Sequence, residues 1–345
     1  MKICFLMYPW ERVCPETDTT LRMIHEAASR RHTVAITTTS NLTIRDSVPH
    51  AFCSVLTKTE KLTSNIPAFY KSAQFKRSKL PLAGFDAIIM RANPPVDPIA
   101  LNFLDSVRGD TFIMNDIDGL RIANNKLYTA SFSGEAQKYM PATHVSKNRD
   151  YLEKVLQDNK AEKMIMKPLN GFGGEGVIVI EKNAAQSYRS LLDFYIGKGE
   201  GSNYVILQEY VEGAEEGDVR ILMLNGEPIG AMRRKPAAND VRSNIHAGGT
   251  EIKHTLTKEE KELCRAIGPK LVRDGLFFAG LDVINGKLIE VNVLSPGGIT
   301  RINRLNRTKL QKQVIDFVEN VVTAKDLMAQ RKSEFRKVIE DAEAL

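Results

Sequence analysis

The stretch 280–292 constrains this chain more than any other. It reads as two short strands around Asn285-Gly286, with three oxygen donors, Asp282, Glu290 and Asn292, set among Leu, Val and Ile. Carboxylates inside an apolar strand pair are costly unless a cation compensates them. Hard oxygen donors suit Mg²⁺, and a Mg²⁺ site this small is usually completed by substrate phosphates. The register adds a condition. A two-residue type I′ loop pairs Ile284 with Lys287 and puts Asp282 opposite Ile289, which turns Glu290 to the other face. A three-residue loop, Ile284-Asn285-Gly286, with Gly286 bulged, removes the conflict. It places Asp282, Glu290 and Asn292 on one face and Leu281, Val283, Ile289, Val291 and Val293 on the other. The bulged turn is the expected arrangement. Asp282 and Glu290 on opposite faces would rule out a shared metal.

Composition bounds what surrounds this hairpin. With 345 residues the chain is long enough for two or three domains. Hydrophobic content of 43% and charged content of 26% are those of a globular protein. No apolar run approaches the roughly 20 residues that span a bilayer, so no membrane partner is expected. The start of the chain reads as a first strand, not a signal peptide. Cys4, Cys14, Cys53 and Cys264 form no Cys-x-x-Cys pair, as expected of reduced thiols in a cytoplasmic protein. The net charge of +6 suits acidic small molecules. It is spread along the chain without a nucleic-acid-binding motif, so nucleic acid is not the expected partner.

Strand and helix patterns divide the chain into four segments. Residues 1–123 alternate strand and helix, which suggests an α/β unit with a parallel sheet. Strands are expected at 2–7, 33–37, 86–91 and 111–114, with a helix over about 19–31. Residues 42–82 show little periodicity and are read as holding a mobile loop. Segment 124–208 holds strands at 163–167, 177–180 and 204–209 and a helix at 186–196. Segment 209–322 holds strands at 219–224 and 228–233, a helix at 259–274 and the opening hairpin. Residues 323–345 read as a charged helical tail.

The glycines of 171–176 match Gly-x-Gly-x-x-Gly. A dinucleotide site needs a strand before that motif and a helix after it. Here the apolar run Val177-Ile178-Val179-Ile180 follows. A glycine loop between strands is instead a flap whose N–H groups can fold over phosphates, or a plain Gly-rich hairpin. No His-Arg-Asp or Asp-Phe-Gly follows, which excludes a protein kinase. Lys126, Lys167, Arg220, Arg234 and Arg242 are further candidates. Lys167 and Arg220 stand out because each sits in an apolar strand, where a cation needs an anion. The polar run 242–249, ending Gly248-Gly249, reads as a loop able to close over a reaction centre.

These elements occur in a telling order: Lys167 and the flap, Gln208-Glu209-Tyr210-Val211, Asp218-Val219-Arg220, Arg242-Ser243-Asn244, then Asp282 through Glu290-Val291-Asn292 and Ser295-Pro296. Together with Met90-Arg91-x-x-Pro94-Pro95 and Asn125-Lys126-Leu127-Tyr128, the set resembles the ATP-grasp ligases, and most closely the bacterial glutathione synthetases. The resemblance covers roughly residues 1–305. It implies an α/β ATP-grasp fold behind a Rossmann-like parallel-sheet domain, and a homo-oligomer. It implies ATP, with Mg²⁺ (or Mn²⁺) held by Asp282, Glu290 and Asn292. Lys126 and Lys167 would contact phosphates under the flap of Gly171, Gly173, Gly174 and Gly176. Glu209, Tyr210 and Val211 would lie at the adenine, and Asp218 near the nucleoside. Arg220, Arg242 and Asn244 would serve catalysis and acid binding. Arg234, Ser295, Gly297 and Gly298 would serve substrate binding.

The implied reaction is amide formation through an acyl phosphate, joining γ-glutamylcysteine to glycine. It needs no side-chain nucleophile. A ligase of the same fold for another peptide or amino acid pair is the alternative. A nucleotide-binding regulatory protein is disfavoured by the intact Asp/Glu/Asn set. The chain departs from its relatives at the Gly-rich turn 297–298, at 235–240, in lacking a proline near 115–118, and in its tail.

Overall fold

The computed structural model describes residues 1–57, 62–170, 176–181, 188–197, 203–236 and 249–343. It divides into two compact units. One comprises Met1–Ala92, Asp97–Met114 and Lys309–Leu345, the other Asn93–Val96 and Asn115–Thr308.

The first unit is built on β1 (Lys2–Met7), α1 (Thr19–Ser29), β2 (Thr33–Thr37), β3 (Leu42–Arg45), β4 (Val48–Leu56), α2 (Ile66–Ser72), β5 (Phe75–Pro81), β6 (Ala87–Arg91), α3 (Pro98–Asp105) and β7 (Phe112–Met114). The sequence β2-β1-β6-β7 is parallel, as the alternation of strands and helices implies. Asp18 caps α1 by accepting from the Leu21 N–H at 2.7 Å, and Leu21, Met23, Ile24 and Ala27 bury one face.

Most of segment 42–82 is regular structure, and residues 58–61 within it lie outside the described residues. β3, β4 and β5 extend the sheet as antiparallel strands, with β4 pairing β2, β3 and β5. The signal was weak for a physical reason. The first buried positions of β4 are Pro49, Ala51 and Cys53, which alternate correctly but are too small to register as a hydrophobic period. β5, with Lys76, Arg77 and Lys79 exposed, is an edge strand, and edge strands carry charge.

The second unit contains α4 (Ile117–Ala123), α5 (Leu127–Ala130), β8 (Thr143–Ser146), α6 (Arg149–Asp158), β9 (Lys163–Pro168), β10 (Ile178–Glu181), α7 (Tyr188–Ile196) and β11 (Val205–Glu209). It continues through β12 (Asp218–Leu224), β13 (Glu227–Lys235), β14 (Thr250–Lys253), α8 (Lys258–Arg273), β15 (Phe278–Ile284), β16 (Lys287–Asn292) and α9 (Ile299–Asn306). Two sheets result, β10-β9-β11-β8 and β14-β13-β12-β15-β16, with every neighbouring pair antiparallel. Leu152 and Leu156 of α6 and Leu192 and Ile196 of α7 pack with Met164, Met166, Val205 and Leu207 to form the core of the first of these sheets. β9 and β10 lie before and after the glycine run 171–176 in the chain, so the segment after it is a strand and the dinucleotide reading is excluded by structure as well as by sequence.

Asn115 closes the open end of the β15–β16 hairpin. Its Oδ1 accepts from the Phe278 N–H at 2.7 Å, and its Nδ2 donates to the Phe278 and Val293 carbonyls, each at 2.8 Å. A buried amide with three partners behaves as a short strand segment. The next residue, Asp116, caps α4 by accepting from the Asp118 N–H. Asn115→Ala leaves those backbone groups unpaired in the interior. The expected loss is about 2–4 kcal/mol, read as a lower denaturant midpoint of the intact chain. An unchanged midpoint would mean that water replaces the amide.

The last element, α10 (Leu310–Glu343), returns to the first unit. Val314, Ile315, Val318 and Val322 are buried there. Arg30 of α1 pairs with Asp316 at 2.6 Å and Glu319 at 2.7 Å, and His32 lies 2.6 Å from Glu319. From Thr323 onward every described side chain of the helix is exposed. Among the described residues no helix is long and apolar enough to cross a membrane.

Candidate functional site

The hairpin that opened the sequence reading has the expected face and an unexpected turn. Asn285 and Gly286 both have positive φ, 43° and 72°, and Ile284 pairs with Lys287. This is the two-residue type I′ loop, not the three-residue one. The extra residue is absorbed further along. Val283 pairs with Leu288 and Asp282 with Glu290, so Ile289 is a bulge inside β16. Leu288, fully buried, takes the place in the apolar face that the sequence reading assigned to Ile289. The outcome for the donors is the same. Asp282 lies opposite Glu290, Gly280 lies opposite Asn292, and the three donors share one face.

Strand order extends that face across the sheet. Arg220 of β12 is the cross-strand partner of Asp282, and Asp218 is the partner of Arg234 in β13. Opposite charges on directly paired residues attract, and here they interlock. Arg220 Nε donates to Asp282 Oδ1 at 2.5 Å and Arg220 Nη2 to Oδ2 at 3.1 Å. Arg234 grips Asp218 with two nitrogens and reaches Asp282 Oδ1 at 2.9 Å. All four side chains are buried. Burial disfavours the charged form of Asp282, but Arg220 and Arg234 outweigh it and hold the carboxyl below its usual range. Burial likewise works against a charged Arg234, and Asp282 and Asp218 overcome it.

A glycine makes this possible. Gly217, at φ 97°, precedes Asp218, and a Cβ there would lie 1.8 Å from the Arg234 carbonyl oxygen. No other residue fits between the strands.

A second group of charges faces the first. Lys126, which starts α5, places Nζ 3.7 Å from Glu290. Lys167 at the end of β9 is buried and donates to Gln208 Oε1 at 2.9 Å, and Gln208 is held in turn by Thr143 at 2.8 Å. Burial pushes the Lys167 ammonium down to about 8; Glu290 opposes the shift and Lys126 adds to it. At neutral pH the group is still mostly charged, and only above about pH 8 must it take a proton back to meet an anion. The sequence reading quoted Gln208 within the motif 208–211 but gave it no role of its own. Its signal was present: a polar side chain inside the apolar strand β11.

The remaining candidates fall in three groups. Glu209, Tyr210 and Val211 form the link between the two sheets. Glu209 Oε2 accepts from the Ala142 N–H at 3.1 Å, the Tyr210 hydroxyl meets Glu215, and the Val211 carbonyl accepts from Ala214. Ser295 Oγ donates to Asn93 Oδ1 at 2.8 Å, the Gly297 carbonyl accepts from Arg220 Nη1 at 3.2 Å, and Gly298 precedes α9. Gly176 has φ 68°, and its carbonyl accepts from the Tyr195 hydroxyl at 2.8 Å. Arg242, Asn244, Gly171, Gly173 and Gly174 lie outside the described residues.

The donor set suits a hard divalent cation. Asp282 and Glu290 supply carboxylate oxygens, and Asn292 can supply an amide oxygen. As placed, Asn292 Nδ2 donates to Asp282 Oδ2 at 3.2 Å, so the amide must turn over to act as a ligand. Two carboxylates and one amide leave room for oxygens from a bound phosphate. Among the described residues no group of three or more His, Cys, Asp or Glu side chains could hold a metal ion.

The fold and the sequence agree on what this arrangement is. Among solved structures, the chain resembles D-cycloserine synthetase DcsG with a TM-score of 0.59 and 14% identity, covering 93% of this chain and 99% of that one. It resembles the RimK domain protein ATP-grasp from Sphaerobacter thermophilus with a TM-score of 0.59 and 15% identity, covering 92% and 99%. At such identities the likeness shows the ATP-grasp fold alone. Sequence goes further. The glutathione synthetase of Gloeobacter violaceus is 36% identical over 92% of this chain and 96% of its own length. That of a Nostoc species is 34% identical over 92% and 98%. The family model "Prokaryotic glutathione synthetase, N-terminal domain" matches residues 1–121, and "Prokaryotic glutathione synthetase, ATP-grasp domain" matches 125–307. This chain therefore belongs to the prokaryotic glutathione synthetase family of ATP-using, amide-forming ligases.

Proposed function

We propose that the protein joins γ-glutamylcysteine to glycine with cleavage of ATP to ADP and phosphate. The observation that carries this reading is the single charged face of β13, β12, β15 and β16, where oxygen donors and arginines meet beside two lysines, in a chain of this family. Asp282, Glu290 and Asn292 would hold Mg²⁺ or Mn²⁺. When bound, the cation neutralises charge on the ATP phosphates and on the transferring group.

The chain's own residues supply the rest. A carboxylate is a poor electrophile, so the acid is first phosphorylated to an acyl phosphate. Phosphoryl transfer is mainly a matter of position and charge. Lys126 and Lys167 bind the phosphates, with Gln208 holding Lys167 in line. Arg220, kept extended by Asp282, offers Nη1 to the transferring group and then to the oxyanion formed when the amine attacks. Glu209, Tyr210 and Val211 receive the base and Asp218 lies near the nucleoside. Arg234, Arg242 and Asn244 bind the acid. Ser295, Gly297 and Gly298 bind the amino acid. The protein works as a homo-oligomer in the cytoplasm.

ADP release with Mg²⁺-ATP tests the assignment against a panel of acids and amines. Turnover that requires γ-glutamylcysteine and glycine is expected. Turnover with a different pair would move the protein to another ligase specificity. Tight ATP binding without turnover by any pair would overturn the ligase reading.

The Lys167 ammonium gives a second check. Below pH 8 it is already charged, so ATP binding moves few protons. Above its value of about 8 the free amine must be protonated as the phosphates arrive. Proton uptake on ATP binding should therefore rise between about pH 7 and 9, measured calorimetrically in buffers of different ionisation heat. Lys167→Met should remove the rise. Equal uptake in the variant would place the phosphates elsewhere.

A further inference from the structure

α5 is a single turn of helix, and a single turn does not hold itself, because fixing it costs more order than its hydrogen bonds return. Its place in the second unit is set by what grips it. At its start the Lys126 N–H donates to the Leu169 carbonyl at 3.2 Å, two residues beyond Lys167. The Tyr128 hydroxyl donates to Asp274 Oδ2 at 2.8 Å, which also accepts from Lys270 at 2.7 Å. Thr129, buried, accepts on Oγ1 from the Val291 N–H at 3.1 Å. That last contact falls at a particular place. β16 ends its sheet, so on its outer side the N–H groups have no neighbouring strand to pair with. Val291 is buried, and a buried N–H needs an acceptor. Val291 also stands between Glu290 and Asn292 in the chain. Thr129 therefore pins the strand through its backbone, between two of the oxygen donors.

Lys126 lies three residues before Thr129, and residues three apart are neighbours on a helix surface. The Lys126 ammonium is 3.7 Å from Glu290 Oε1. One side of α5 thus meets β16 at two adjacent residues, with a cation on the Glu290 carboxylate and a hydroxyl on the next N–H. We propose that Thr129 is a positioning residue for Lys126, its hydroxyl seating α5 on β16 where the ammonium can serve both Glu290 and the ATP phosphates. This rests on the reading that Lys126 meets those phosphates. Without the hydroxyl, the Val291 N–H is satisfied only if water enters. For water to enter, α5 must lift from the strand, and Lys126 moves with it. Lys167 is held separately, on β9, by Gln208 at 2.9 Å. The loss therefore falls on one phosphate-binding lysine and spares the other.

Calorimetric titration of the full chain with Mg²⁺ and the non-hydrolysable analogue AMPPNP, and separately with adenosine, tests this. Thr129→Val keeps the shape and removes the acceptor. It should weaken AMPPNP binding about fivefold and leave adenosine binding unchanged, because adenosine carries no phosphate for Lys126 to meet. Thr129→Ser restores the oxygen and should bind AMPPNP as the wild type does. Lys126→Met should weaken AMPPNP binding about 10- to 100-fold. Adding Thr129→Val to the Lys126→Met chain should cost nothing further, since both act through one contact. Thr129→Ala, which leaves room for a water on the Val291 N–H, should repeat the pattern if the valine chain does not fold. Equal losses for AMPPNP and adenosine would mean a general structural role and overturn the proposal. So would additive losses in the double variant, or a serine chain as weak as the valine one. Full AMPPNP affinity in Thr129→Val beside a weakened Lys126→Met would overturn the positioning role alone. Full affinity in Lys126→Met would remove the phosphate reading of Lys126 and the proposal with it.

Discussion

Glu290→Gln is expected to lower turnover about a thousandfold while shifting stability by less than about 1 kcal/mol. Its side chain is 31% exposed and its nearest cation is Lys126 at 3.7 Å. A neutral amide of the same shape leaves nothing stranded. Asp282→Asn should abolish turnover as well, but not at the same structural cost. Asp282 accepts from Arg220 through both oxygens and from Arg234 through one, all of them buried. Removing one partner of a buried ion pair typically costs about 3–5 kcal/mol, because a charge is left uncompensated. From sequence alone the two substitutions look equivalent, each abolishing turnover in an intact fold. The structure separates them. Turnover and denaturation midpoints measured on both variants check the point. If Asp282→Asn unfolds at the wild-type midpoint, the network is not what holds these strands. If Glu290→Gln keeps full activity, the cation is held elsewhere.

Arg220→Met carries the second large effect. Without the guanidinium the transferring group and the oxyanion lose their nearest donor, and a fall in kcat of about 100- to 1,000-fold is expected. Arg234 still reaches Asp282 at 2.9 Å, so the carboxylate keeps one cation. KM for ATP should change little if Lys126 and Lys167 carry the phosphates. Arg220→Lys should recover little, because an ammonium cannot reproduce the two-pronged grip on Asp282 while donating a third time to Gly297. Single-turnover kinetics separate chemistry from binding. A variant that loses only ATP affinity would assign Arg220 to binding instead.

The parts of this molecule that could be read from sequence are those governed by local chemistry. The parallel strands of the first unit and the strand after the glycine flap follow from apolar runs and breakers. The common face of Asp282, Glu290 and Asn292 follows from the need to keep carboxylates out of the core. What could not be read depends on strand order. Nothing local says that Arg220 meets Asp282 across one strand boundary while Asp218 meets Arg234 across the next. Asn115 is similar, since its three bonds are to residues more than 160 positions away. The 42–82 segment was lost because small buried residues and an exposed basic edge produce no hydrophobic period. The site of the bulge was missed because Asn285-Gly286 forms a type I′ turn readily, and the adjacent apolar pair Leu288-Ile289 marked the surplus residue instead.

That bulge bears on how two like charges can share one face. In a regular antiparallel ladder, carboxylates directly opposite one another repel. A bulge bends its strand and adds local twist. Asp282 is drawn inward to Arg220 and Arg234, while Glu290 is drawn to Lys126. Losing Ile289 would not turn Glu290 away, because Val283 would still face Leu288 and Asp282 would still face Glu290. It would flatten the ladder and press the two anions together. At this position the chain's length tunes the spacing of charge, and the identity of the side chain matters less.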